Sequence, residues 1–166
     1  MEVVKIGAEA LRQKAVCVEN IDEKYTALAK AMFEITRAHR GVGLAGPQVG
    51  VNERMFVVLI EGDIPRIFIN PTIIETSETV SVMEEGCLSI PGVWSDIKRP
   101  KFVSVQAWNE RGRPFTLDAS GLLARVIQHE YDHLEGTLFI DHLSEVKRQR
   151  LLLQYKKIEN QAKKSS

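Results

Sequence analysis

Between residues 23 and 39 (EKYTALAKAMFEITRAH) Tyr25, Leu28, Met32, Ile35 and His39 recur at spacings of three and four, which predicts an amphipathic helix ending where Gly41 begins. From 54 to 108 the texture changes. Short β-branched and aromatic runs (RMFVVLI, RIFINPTII, TVSVM, CLSI, FVSVQAW) alternate with Gly, Pro and Asn and read as strands. NERG at 109–112 predicts a hairpin turn into RPFTL, after which Asp118 or Ser120 offers an N-cap for a second helix, GLLARVIQHEYDHLEG, stopped by Gly136. TLFI reads as one more strand. Ser144 then caps a terminal helix whose apolar stripe is Leu151, Leu152, Tyr155 and Ile158. No repeat or linker interrupts this order, so one domain over 1–166 is expected, with 147–166 as a basic C-terminal helix and tail.

Composition narrows the function classes. With 44% apolar residues in a chain of 166, a single buried core is affordable and two are not. Lys plus Arg and Asp plus Glu both number 22, so no global field draws the molecule to DNA or to a membrane. The apolar runs MFVVLI and IFI are far shorter than the ~20 residues a membrane helix needs. No signal or transit segment is visible in MEVVKIGAEALRQKA, and a cytoplasmic location is expected. Cys17 and Cys87 are then expected to be reduced thiols.

GVGLAGPQVG at 41–50 opens with GxGxxG, yet a phosphate-binding turn needs a strand before its glycines and a helix after them. Here a helix comes first and Pro47 interrupts the segment after the glycines. The loop reads as a glycine turn joining helix to strand, which leaves Gln48 unexplained.

HEYDH at 129–133 carries more chemistry. Positions i and i+4 share a helix face, so His129 and His133 can reach one metal ion while Glu130 projects beside it as a base; Leu122 and Val126 extend that face. The alternative is two packed, inert histidines. An open catalytic site needs a third ligand. HExxHxxGxxH fails here because its last position is Phe139, and His39 and His142 have no motif around them. Cys87, in EEGCLSIPG, is the better candidate; beside it Gly86 leaves room for a backbone or a metal to approach. A different HExxH hydrolase, such as a small metallopeptidase, and a closed metal-stabilised binding module stay open on residues alone.

Together GVGLAGPQVG, EGCLS (85–89) and QHEYDHLEG (128–136) resemble, in order and spacing, the three motifs of the peptide deformylase family. The resemblance implies an α+β fold in which antiparallel sheets surround a central HExxH-bearing helix, with a C-terminal helix. It implies a metal-dependent hydrolase that removes the N-formyl group from the formylmethionine of new polypeptides. One divalent metal ion would be held by Cys87, His129 and His133: ferrous iron natively, with zinc, nickel or cobalt as substitutes. Glu130 would move the proton, and the Gln48 amide and Leu88 backbone N–H would face the formyl oxygen. Glycines 41 and 43 would let an extended substrate lie along the loop, with Val42, Gly43, Leu122 and Val126 at its formyl-methionyl end. The family usually reads GLAA where this chain reads GLAG, so Gly46 is expected to loosen the turn presenting Gln48. Arg125 and Trp94 are expected at the substrate rim, and Glu85 is expected to pair with Arg99. Asp132 is expected either to orient a ligand or to be solvated. The basic C-terminal helix suggests a ribosome contact.

Overall fold

The structure is a computed structural model describing residues 1–165, so the final residue of the expected tail, Ser166, lies outside the described residues. Helix α1 (Glu23–Ala38) begins where the Asp22 carboxylate accepts from the Lys24 N–H at 3.0 Å. It buries Tyr25, Ala29, Met32 and Thr36, with Leu28 and Ile35 flanking them; His39 is left exposed at the end. The helix closes with Gly41 N–H donating to Thr36 O and Arg40 N–H to Arg37 O. That closure puts Arg40 at φ 54, a left-handed conformation that costs a residue with a Cβ about 1 kcal/mol relative to glycine.

The 41–50 segment is more than a turn. Gly43–Ala45 forms strand β1, and Gly46–Val49 continues as a buried 3-10 turn. Strands β2 (Met55–Val58), β3 (Arg66–Thr76), β6 (Phe102–Trp108) and β7 (Pro114–Ser120) join β1 in a five-stranded antiparallel sheet, order β1-β2-β3-β6-β7. The hairpin expected at NERG is present: Asn109 Oδ1 accepts from the N–H groups of Arg111 and Arg113, and Gly112 takes φ 73. Strands β4 (Val80–Cys87) and β5 (Ile90–Pro100) pair separately, with a register shift between Glu85 and Cys87.

Helix α2 (Gly121–Leu134) packs against β1, β2, β6 and β7 and also meets β5, so it holds the central place between the two sheets. Ser120 is its N-cap residue, although its side chain makes no capping hydrogen bond. Phe56, Phe68, Val103, Val105, Ala124, Val126 and Ile127 share one core, in which the Phe56 and Phe68 rings stack at 4.7 Å.

TLFI is not a strand. Phe139–His142 forms a 3-10 turn, with Leu138 N–H on the Asp141 carboxylate and Arg12 gripping the same carboxylate at 2.6 Å. Leu138, Phe139 and Ile140 are all buried, and a short apolar run cannot by periodicity be told from a strand. Helix α3 (Glu145–Ser165) starts with Ser144 Oγ accepting from Lys147 N–H. Leu151 and Tyr155 are buried in a cluster with Ile90, Val93 and Ile97 of β5, and Leu152 and Ile158 are partly covered, as the stripe predicts. Among the described residues no helix is long and apolar enough to cross a membrane.

Candidate active site

Two elements converge on one point. The β4 end supplies Cys87 and α2 supplies His129 and His133; the possible ligand atoms of these three residues all lie within 4.8 Å of one another. Cys87 Sγ is 3.4 Å from His133 Nε2. His129 Nδ1 is held by Glu85 Oε1 at 2.8 Å, which turns its other ring nitrogen toward the cluster. One thiol and two imidazoles suit a divalent transition metal, and three protein ligands leave a fourth position open. The donor set fits the ion that the sequence implies.

A cavity of about 570 Å³ reaches this point, and Val42, Gly43, Gln48, Cys87, Leu88, Leu122, Val126, His129 and Glu130 all line it. The sequence-predicted residues are therefore brought together, with His133 just behind Cys87. Gln48 is buried and fixed at both ends: its Oε1 accepts from Ala45 N–H at 2.9 Å, while its Nε2 points to Ser89 Oγ at 3.1 Å and Cys87 Sγ at 3.4 Å. Gly46 does not loosen this turn. A Cβ there would stand 2.8 and 2.9 Å from the carbonyl oxygens of Val51 and Glu53, so the glycine lets the turn close tightly under that backbone.

The glycines serve neighbours inside the protein. A Cβ on Gly43 would lie 2.7 Å from Glu130 Oε2 and 2.9 Å from Val126 Cγ1, and one on Gly41 would meet the Leu88 side chain at 3.1 Å. The space beside Gly86 is taken by the Trp94 indole, 2.5 Å from where a Cβ would be. Trp94 itself is exposed and lines the cavity mouth, the rim position expected for it.

Electrostatics follow from burial. Burial pushes the Glu130 carboxyl up to about 7, close to where a base working at neutral pH should sit; its Oε1 has no hydrogen-bond partner among the described residues. Burial also drives His133 to its neutral, ligating form, reinforced by the nearby His129. Burial opposes charge on His129, but hydrogen bonds to Cys87 and Glu85 outweigh it and raise its pKa. For Glu85 burial would raise the pKa, yet the hydrogen bonds from His129 and Arg99 win and hold the carboxyl well below its usual range.

Glu85 is the hub behind the candidate ligands. Arg99 grips it at 2.6 and 3.0 Å, as its expected partner. Arg125, expected at the rim, is buried instead. It donates to Glu85 Oε2 at 2.8 Å, Ile97 O at 2.7 Å and Ser81 O at 2.9 Å, because a charge on the buried face of α2 must find acceptors. Its signal is in the sequence: Arg125 precedes His129 by one helical turn, on the face read as buried. Asp132 is not simply solvated, since it accepts from Arg99 at 2.9 Å and bonds His142 Nε2 at 2.8 Å. Ser89 closes the EGCLS motif although no role was read for it, and His142 has no motif to mark it.

Comparison with known proteins points to one family. The family model described as polypeptide deformylase matches residues 1–149. The peptide deformylase of Borreliella burgdorferi is 49% identical over 157 residues, covering 93% of this chain and 94% of that one. The crystal structure of a peptide deformylase from Legionella pneumophila superposes with a TM-score of 0.92 at 37% identity, covering 97% of this chain and 96% of that one. One from Synechococcus elongatus, in complex with actinonin, gives 0.89 at 40% identity, with 93% and 85% covered. The chain belongs to the polypeptide deformylase family, enzymes that remove the N-formyl group from the N-terminal formylmethionine of newly synthesised polypeptides.

Proposed function

We propose that the whole chain is one catalytic domain and that hydrolysis takes place in the cavity at Cys87, His129 and His133, where these residues hold the single divalent metal ion the family implies. Ferrous iron is the proposed native ion, with zinc, nickel or cobalt as substitutes. Such an ion supplies Lewis acidity to a carbonyl oxygen and makes water nucleophilic near neutral pH. Glu130, buried against Gly43, accepts the water's proton and returns it to the departing amine. The Gln48 amide, fixed by Ala45, and the Leu88 backbone N–H donate to the formyl oxygen as negative charge develops there. Val42, Gly43, Leu122 and Val126 receive the formyl-methionyl end. The observation that carries this reading is the approach of three ligand atoms within 4.8 Å of one another beside a carboxylate pressed on a glycine.

The reaction is placed in the cytoplasm, and the basic face of α3 is proposed to meet the ribosome. The assay compares a formyl-Met-Ala-Ala peptide with the same peptide unblocked. Formate release from the first and no cleavage of the second is expected; cleavage of the unblocked peptide would make the site a metallopeptidase's instead.

A further inference from the structure

The cavity runs outward from the ligand cluster to a mouth lined by Lys5, His39, Arg40, Glu84 and Trp94. Arg40 differs from its neighbours on two counts. Its φ of 54 lies in the left-handed region that glycine occupies without strain, at the helix-closing position where glycine is the usual residue. Its side chain is exposed and makes no hydrogen bond or ion pair among the described residues. Two other basic groups lining the cavity already have partners: Lys5 Nζ donates to Val3 O at 3.0 Å and His39 Nδ1 is 2.9 Å from Ile35 O. The deeper carboxylate, Glu85, is answered by Arg99 and Arg125. Glu84, on β4, lines the same cavity. Arg40 thus stands at the mouth as an unpaired cation, at a backbone cost that glycine would avoid.

We propose that Arg40 is a specificity-determining residue, holding a carboxylate of the substrate that lies beyond its formyl-methionyl end. The planar guanidinium donates two parallel N–H bonds to a carboxylate, while a lysine in the same place on the peptide meets Arg40 as a like charge. The inference rests on the proposed cavity being the peptide's path. The carboxylate comes from an acidic side chain of the nascent chain or from the C-terminus of a short peptide, and amidated and free-acid substrates separate the two.

The measurement is kcat/KM for formyl-Met-Ala-Ala-amide and for amidated peptides carrying Asp or Lys at the third or fourth position, together with the free acid of the neutral peptide. The metal-loaded enzyme is used at low and at high salt. Asp over Lys by about threefold to tenfold at low salt is expected, a size set by one exposed ion pair gained against one repulsion, and the ratio should shrink toward one at about 0.5 M salt. Arg40→Glu should invert the ratio. Arg40→Gly should remove it while Tm holds or rises, because glycine adopts the left-handed backbone freely. A preference for Asp within the amidated series assigns side chains; a preference confined to the free acid assigns the terminal carboxylate. A wild-type ratio of one, or a ratio unchanged in Arg40→Gly, overturns the proposal. No turnover of any formyl peptide would instead overturn the placing of the reaction in this cavity.

Discussion

Gly43 and Glu130 fit only as a pair. The carboxylate lies 2.7 Å from where a Cβ on residue 43 would be, so Gly43→Ala must push Glu130 or Val126 aside. We expect Gly43→Ala to retain metal and lose about tenfold to a hundredfold in kcat, since misplacing a reacting group by an ångström has that cost. Glu130→Gln should likewise retain metal, because none of the ligand atoms changes, and should lose about 10²–10⁴-fold in turnover with the proton acceptor gone. Metal content beside turnover checks both; wild-type activity in either variant would remove Glu130 from its role. Much at this scale is legible in the sequence because side chains that meet at one point leave fixed spacings: His129 and His133 at i and i+4 on one helix, with Cys87 at a tight strand end. The reasons for the glycines are not legible. Gly43, Gly46 and Gly86 each answer an atom distant in sequence or across a turn (Glu130, Val51 and Trp94 respectively), and a missing Cβ does not say what fills its place.

Among the elements, the weak join is between the two-stranded β4–β5 sheet and α2, since the cysteine is on one and the histidines on the other. Glu85 secures that join by taking Arg99 from β5 and both Arg125 and His129 from α2. Glu85→Ala would leave two buried guanidinium groups without their shared carboxylate, and we expect a loss of about 3–5 kcal/mol in unfolding free energy together with weakened metal retention. Thermal melts and metal analysis would check it; an unchanged melt would show that the join does not depend on Glu85. A smaller tie joins Arg12 to Asp141 across the chain. Partial burial would raise the Asp141 pKa, but the Arg12 hydrogen bond outweighs it and the folded value is lowered. Its stabilisation is therefore complete above the unfolded carboxyl value of about 3.9 and fades as pH falls through the folded one. With Arg12 half exposed it amounts to less than about 1 kcal/mol, so Asp141→Asn should lower Tm slightly at pH 7 and not at pH 2. The periodic helices are legible in the sequence because their faces are continuous. TLFI reads as a strand because its four residues carry no period, and the deciding contact, Arg12 on Asp141, spans most of the chain.

For the whole molecule, charge is balanced at 22 against 22, yet α3 gathers Lys147, Arg148, Arg150, Lys156, Lys157, Lys163 and Lys164 against Glu145 and Glu159. The helix is held to the body by Leu151 and Tyr155, packed on the β5 residues Ile90, Val93 and Ile97, so its basic side chains project from an anchored support. Removing the helix would strip that apolar cluster, to which the Cys87 side chain also packs, and would confuse docking with loss of the site. Charge reversal avoids this. Lys156, Lys157, Lys163 and Lys164 are all exposed, and Lys163 lies 3.7 Å from Glu159 along its own helix, so converting the four to Glu leaves the packed stripe intact. If α3 meets RNA phosphates at the ribosome surface, each contact releases counterions and binding falls steeply with salt. The four-Glu protein should then cosediment with ribosomes about tenfold less at low salt, converging with the wild type as salt rises, while still releasing formate from a short formyl peptide. Cosedimentation undiminished by the reversal would leave α3 as a packing element whose basic face is merely solvated.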